Sequence, residues 1–288
     1  MASRGAERAC NQISGPVMES VSFEEGHRGS FVKLEGATIA YGGTGGALAL
    51  SETSMSIRKG EFVAIVGPSG CGKSSLLKLV SGLHPAQKGS VTVAGRKVAG
   101  PLNICGMAFQ NSTLLPWRTT LENVLLPLEI VEPHAARFRQ QRTLYEDLAR
   151  TLIATVGLSG FENTYPWQLS GGMQQRTSLC RSLIHSPEML LLDEPFGALD
   201  PFTREELWDV LQDLWLKKRP TVILVTHDLR EAIYLADTVY IFSPRPGRIL
   251  SRTEIGLPRP RQLQDTYAPH FIEMTHALRE QIVSGLRK

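Results

Sequence analysis

The run Gly67-Pro-Ser-Gly-Cys-Gly-Lys73-Ser74 constrains this chain more than any other stretch. It follows the apolar segment Glu61–Val66 and precedes Lys73–Leu83, where Leu76, Leu79, Val80 and Leu83 recur on one helical face. A GxxxxGK[ST] spacing set between a buried strand and a helix has a definite physical use, the cradling of phosphate. Within the loop formed by Gly67, Pro68, Ser69, Gly70, Cys71 and Gly72, the glycines let backbone amides approach phosphate oxygens with no Cβ in the way. The following helix adds positive potential at its N-terminus. Lys73 supplies a mobile charge for β and γ oxygens, and Ser74 a hydroxyl able to ligate Mg2+.

A second polar cluster obeys similar logic. Leu190-Leu-Leu-Asp193-Glu194 puts two carboxylates at the carboxyl end of an apolar strand, where ligands sit in an open parallel sheet. Side chains alternate along a strand, so the two acids project differently. Asp193 suits the shell of Mg2+, and Glu194 suits a general base or water positioner. Just upstream, Leu169-Ser170-Gly171-Gly172-Met-Gln-Gln-Arg176 places a hydroxyl and two glycines where a helix begins. That is a second helix N-terminus with free amides. One nucleotide needs one phosphate cradle, so the second suggests a nucleotide held by another molecule.

The remaining pattern is α/β. Strands are expected through Ile39 and at Ala47–Ile57, Ser90–Val93, Ile104–Phe109, Met189–Asp193, Thr221–Thr226 and Thr238–Phe242. Helices are expected at Leu121–Leu126, Ala135–Val156, Gly171–Ile184, Thr203–Lys217, Leu229–Leu235 and Pro269–Leu286, with Pro116, Pro127, Pro133 and Pro166 as breaks. Alternating strands and helices imply a mainly parallel sheet, into which about residues 112–175 are inserted as a helical subdomain. Residues 1–30 read as a flexible tail with no secretory apolar core, and Ala2 excludes N-myristoylation. The 288 residues carry 31 Lys and Arg against 28 Asp and Glu, and a net charge of +3 is too small for bulk nucleic-acid binding. No apolar run nears the ~18 residues a spanning helix needs. Cys10, Cys71, Cys105 and Cys180 form no CxxC pair and read as small hydrophobes in a reducing compartment.

With these motifs in hand, the sequence resembles the ATP-binding cassette (ABC) ATPase family. LSGGMQQR is similar to that family's signature motif, Gly67–Ser74 to its Walker A loop and Leu190–Glu194 to its Walker B strand. Gly197-Ala-Leu-Asp200 resembles the D-loop, His227 the switch histidine, Gln110 the Q-loop glutamine, and Tyr41 the aromatic that stacks on adenine. The resemblance spans about residues 31–256 and implies a P-loop fold with an antiparallel β subdomain and a helical one, followed by an extension over 257–288. It implies Mg2+ and ATP bound through the loop and Ser75, with Mg2+ at Ser74, Asp193 and Gln110. It also implies a homodimer or paired cassette in which Ser170, Gly171 and Gly172 of one copy close on the other's nucleotide and Asp200 couples the two sites.

Three further stretches, Gln110–Val124, Ser243–Ile249 and Ile255–Gln262, resemble importers for nitrate, sulfonates and taurine. Relatives handling pyrimidine precursors, bicarbonate or aromatic acids look similar. The resemblance implies a peripheral motor on the cytoplasmic face of a bacterial inner membrane. It also implies integral-membrane permease subunits docked near Leu114, Leu115 and Trp117, and a periplasmic or lipid-anchored binding protein. The competing expectations are a soluble ABC ATPase and a non-hydrolysing sensor, the second disfavoured by Glu194 and His227.

Overall fold

The strand ahead of the glycine loop is buried along its whole length. A computed structural model of the chain describes residues 29–42 and 47–286. In it β3 (Phe62–Val66) is an inner strand of a six-stranded sheet ordered β10-β9-β3-β8-β7-β6. The partners are β6 (Cys105–Ala108), β7 (Met189–Asp193), β8 (Thr221–Thr226), β9 (Thr238–Phe242) and β10 (Ile249–Glu254). All pairings are parallel except β9 with β10. Every residue of β3, β7, β8 and β9 is buried. Their sequences are continuous apolar runs because helices or a second sheet cover both faces.

The two faces lead into different cores. Phe62, Ala64, Val66, Leu190, Leu192, Val222 and Leu224 pack on the helical side. Val63, Ile65, Met189, Leu191, Ile223 and Val225 pack toward α1 (Lys73–Val80) and a four-stranded antiparallel sheet. That second sheet runs β2-β1-β4-β5, from β1 (Val32–Tyr41), β2 (Ala47–Ile57), β4 (Lys88–Val93) and β5 (Arg96–Lys97). Helix α1 stops earlier than the expected Leu83. At Gly82 the backbone turns to φ +77°, against the carbonyl of Gly100, and Leu83 is left 51% exposed.

Between β6 and β7 the chain is helical. It forms α2 (Thr120–Ile130), α3 (His134–Arg137), α4 (Arg142–Thr155) and α5 (Gly171–Leu183). Helix α2 runs through Pro127, where a break was expected. Its start is fixed by a capping box, with Thr119 Oγ1 accepting from Glu122 N at 3.3 Å and Glu122 Oε2 from Thr119 N at 2.8 Å. Burial of Leu121, Val124, Leu125 and Leu128 offsets the hydrogen bond that proline removes. The single helix expected at Ala135–Val156 is broken between Arg137 and Arg142, where Phe138 turns inward to stack on Tyr145.

Helix α6 (Pro201–Lys218) begins two residues before the expected Thr203, and α7 (Leu229–Leu235) and α8 (Pro269–Leu286) match expectation. The chain beyond β10 is tied down by Arg261, which donates to the carbonyls of Ile233, Tyr234 and Ala236 at the end of α7. Strand β10 was not expected; its alternating pattern is that of an exposed edge. Most of the expected N-terminal tail, and Cys10 with it, lies outside the described residues. Cys71 and Cys180 are buried, and burial pushes the Cys180 thiol up to about 12.

Asn123, fully buried on α2, holds the loop ahead of that helix. Its Oδ1 accepts from Leu115 N at 2.8 Å, and its Nδ2 donates to the carbonyls of Leu115, Arg118 and Thr119 at 2.9–3.1 Å. Replacement by Ala strands those groups. Asn123→Ala is expected to lower stability by about 2–4 kcal/mol in a denaturant titration. A loss below about 1 kcal/mol would show that the loop is held by other contacts.

Candidate active site at the strand ends

Because β3, β8, β7 and β6 run parallel, their carboxyl ends open on one edge of the sheet. β3 delivers Gly67–Ser74 there, β7 delivers Asp193 and Glu194, β8 delivers His227, and β6 is followed by Gln110. In the phosphate loop Gly70 (φ +74°) and Gly72 (φ +105°) adopt left-handed backbone that a side chain would strain. A Cβ on Gly70 would meet nothing, so the concavity is open. The amides of Gly70, Gly72, Ser74 and Ser75 donate to no backbone oxygen among the described residues. Lys73 is buried, its Nζ donating to the carbonyls of Gly67 and Pro68 at 2.8 Å each. A desolvated ammonium surrounded by free amides is a site for a polyanion.

The two acids differ as their alternation requires. Asp193 is buried, and burial raises its pKa; a hydrogen bond with Ser74 works against that, while the charge of Glu194 adds to it. Among the described residues no group of three His, Cys, Asp or Glu side chains could hold a metal unaided. A hard cation at Ser74 and Asp193 would therefore complete its shell with substrate oxygens and water, the usual habit of Mg2+. Glu194 is half-buried in left-handed backbone at φ +46°, a strained conformation for a non-glycine residue. Its Oε2 receives Gln110 Nε2 at 3.5 Å and lies 3.3 Å from His227 Nδ1. Gln110 and His227 are both exposed.

Three residues absent from the expected set lie around this group, two of them tying its backbone or its neighbours together. Gln175, buried on α5, donates from Nε2 to the carbonyls of Gln110 and Glu194 at 3.4 Å each. Arg204 on α6 reaches Leu199 O at 3.2 Å and Asp228 Oδ2 at 3.4 Å, joining the segment before α6 to the residue after His227. Glu231 on α7 is buried, and desolvation, followed by the charge of Asp228, holds its pKa well above the carboxylate range. For Gln175 the sequence carried its place in the LSGGMQQR run; for Arg204 and Glu231 the signal was a long polar side chain on the inward side of a helix.

The remaining expected residues lie around this centre. Tyr41, at the end of β1, is 38% exposed; its hydroxyl donates to Ser75 Oγ at 3.1 Å and His84 packs edge-on at 5.1 Å. Ser170 caps α5, its Oγ accepting from Met173 N at 3.3 Å, and a Cβ on Gly171 would meet open space. Among the described residues, no hydrogen bond joins Ser170–Gly172 to the phosphate loop of the same chain. Asp200 caps α6 through Thr203 N at 3.1 Å, which lowers its pKa. Trp117 is 70% exposed, with Leu114 and Leu115 half-buried beside it.

Known proteins resemble this chain in sequence and fold. The family model described as ABC transporter matches residues 50–197. The aliphatic sulfonates import ATP-binding protein SsuB of Bacillus licheniformis is 45% identical over 212 residues, covering 74% of this chain and 79% of that protein. The taurine import ATP-binding protein TauB of Escherichia coli K12 is 42% identical over 219 residues, covering 76% and 83%. A solved dimer of the ATP-binding cassette MJ0796, in a post-hydrolysis state bound to ADP and Pi, superposes with a TM-score of 0.71. It is 32% identical and covers 79% of this chain and all of its own. The chain belongs to the ABC transporter family and carries that family's ATP-binding, ATP-hydrolysing cassette.

Proposed function

We propose that this chain is the motor subunit of an importer for a small sulfonate or a related anion, hydrolysing ATP in a head-to-tail dimer. The observation that carries the hydrolytic reading is the convergence of Gln110 and His227 on one carboxylate oxygen of Glu194. The cargo class rests on the sulfonate and taurine relatives. The free amides of the loop, with Lys73, Ser74 and Ser75, bind the triphosphate, and the exposed ring of Tyr41 takes the base. Ser74, Asp193 and Gln110 would hold Mg2+, which would supply charge neutralisation when bound. Glu194 orients the attacking water and receives its proton, while His227 meets the γ-phosphate. Ser170–Gly172 of a second copy closes over that phosphate in a C2 pair, and Asp200 lies where the two sites meet.

No helix among the described residues is long and apolar enough to cross a membrane. In this reading separate permease subunits provide the path for cargo and dock by short helices beside Trp117, Leu114 and Leu115. Such a motor sits on the cytoplasmic face of the membrane, and an external binding protein delivers the anion.

Glu194→Gln keeps shape and removes the base. It is expected to slow hydrolysis by about 10²–10⁴-fold and to accumulate an ATP-bound dimer in light scattering. Near-wild-type turnover would remove Glu194 from this role. For Asp193 the sign follows from burial: a carboxyl whose folded pKa is raised loses stability as pH rises through that pKa. Nucleotide-free Asp193→Asn is therefore expected to melt above wild type at neutral pH, with the gap narrowing in acid. The same variant needs more Mg2+ for half-maximal ATPase, and an unchanged Mg2+ titration would refute the ligand assignment. Tagged chain recovered from native membranes in mild detergent is expected to bring a polytopic permease in equal amount; recovery without one would remove the transport reading.

A further inference from the structure

The turn after β9, Ser243-Pro-Arg-Pro-Gly-Arg248, takes no part in the chemistry above, yet it lies directly behind the phosphate loop. It is closed on itself: Ser243 N donates to Arg248 O at 2.9 Å, and Ser243 Oγ accepts from Arg248 N at 3.1 Å. Its two prolines add fixed φ angles. From this rigid turn two residues reach different parts of the nucleotide site.

Gly247 pairs with β2, its amide donating to Ala49 O and its carbonyl accepting from Ser51 N, each at 2.9 Å. A Cβ on Gly247 would stand 2.1 Å from the carbonyl oxygen of Cys71 in the phosphate loop. A Cβ on Gly72 would stand 2.5 Å from Ala49 O. Three backbones, of the turn, of β2 and of the phosphate loop, thus meet with no room for a side chain between them. Arg245 reaches the other part. Its Nε donates to Leu48 O at 3.1 Å and its Nη2 to Ala47 O at 3.5 Å. Ala47 is the cross-strand partner of Tyr41, and the Tyr41 hydroxyl returns to Ser75 at the start of α1.

We infer that this turn is a bracket that sets the spacing between the base-binding strand end at Tyr41 and the phosphate loop. Arg245 and Gly247 are positioning residues for ATP. The inference rests on the reading above that Tyr41 takes the base. A nucleotide bound at both ends gains from the two subsites together only when their separation is fixed beforehand, because otherwise binding must order one relative to the other. Arg245 holds the base end and Gly247 admits the phosphate loop to its seat.

Inorganic tripolyphosphate engages the phosphate loop alone, whereas ATP engages both ends, so calorimetry with each, in Mg2+, separates the two. In the full-length chain Arg245→Ala is expected to weaken ATP by about three- to tenfold, the worth of one or two exposed charge-assisted hydrogen bonds, and to leave tripolyphosphate unchanged. Arg245→Lys, which can still donate to one carbonyl, restores most of the loss. In a Tyr41→Ala background, Arg245→Ala costs nothing further, because it acts through that residue. Gly247→Ala moves the phosphate loop and weakens both ligands; should it fail to fold, the Arg245 variants carry the test alone. Equal weakening of ATP and tripolyphosphate by Arg245→Ala would overturn the bracket. So would unchanged ATP affinity in Arg245→Ala when Tyr41→Ala does weaken ATP. If Tyr41→Ala itself spares ATP, the base assignment falls, and the Arg245 limb of the bracket falls with it.

Discussion

Burial of β3, β7 and β8 on both faces is the constraint on which the rest of the site depends. A strand covered from both sides cannot present a polar group along its length, since each would need a partner in an apolar layer. Polar chemistry can begin only where such strands stop. Parallel pairing puts those stops on one edge, and the in-register pairs Val66–Thr226 and Asp193–Val225 bring them level. Asp193, Glu194 and His227 stand at or one residue beyond a strand terminus for this reason, and Lys73 follows β3 at the far end of the glycine loop. The helices that follow two of these strands then contribute their N-termini to the same edge, so the sheet that buries the core also aligns the helix-end charges.

The groups gathered there are held at a cost. Lys73 is desolvated, Asp193 is pushed toward its neutral form, and Glu194 keeps a left-handed backbone. A strained residue persists only where its surroundings over-determine it. For Glu194 the surroundings are visible: its amide donates to Val225 O, and its carbonyl accepts from Gly197 N and from Gln175 Nε2. Gln175 also fixes the carbonyl of Gln110, so a single amide sets the backbones of two residues that meet through their side chains. The carboxylate proposed to activate water is thus held in place by the protein's own contacts, the kind of pre-placement from which electrostatic catalysis gains most.

What could be read from the sequence follows the range of the interactions. The phosphate loop and the acidic strand end depend on neighbours a few residues away, so glycines, Lys73 and the run Leu190–Glu194 were legible. Strands β7, β8 and β9 were legible because two-sided burial leaves an unbroken apolar run. Pro127 misled because a locally costly residue is carried by packing from α4 and α5, which no window around α2 contains. Helix α4 was merged with α3 for a related reason: the break depends on Phe138 finding Tyr145. Strand β10 is an edge with half its residues in solvent, and its pattern is hard to tell from a polar loop. Gln175 stood within the LSGGMQQR run, but its role did not show there because it lies in carbonyls 19 and 65 residues away; Arg204 did not show at all, its carboxylate partner being 24 residues away.

The proposed base end, phosphate loop and catalytic carboxylate belong to one edge of the chain, and no hydrogen bond among the described residues joins the second helix start, at Ser170–Gly172, to that phosphate loop. Ser170 and Gly171 are exposed. That start is nevertheless packed into the same machinery. A Cβ on Gly172 would lie 2.9 Å from Leu199; the carbonyl of Leu199 receives Arg204, and Arg204 pairs with Asp228 beside His227. Close-packed contacts of this kind transmit a displacement rather than absorb it. In the proposed dimer, a nucleotide held by a second copy against Ser170 would therefore bear on contacts that lead through Leu199 and Arg204 to Asp228, the residue after His227. If the sites are shared in this way, the same contacts that complete one site would tie it to the state of the other.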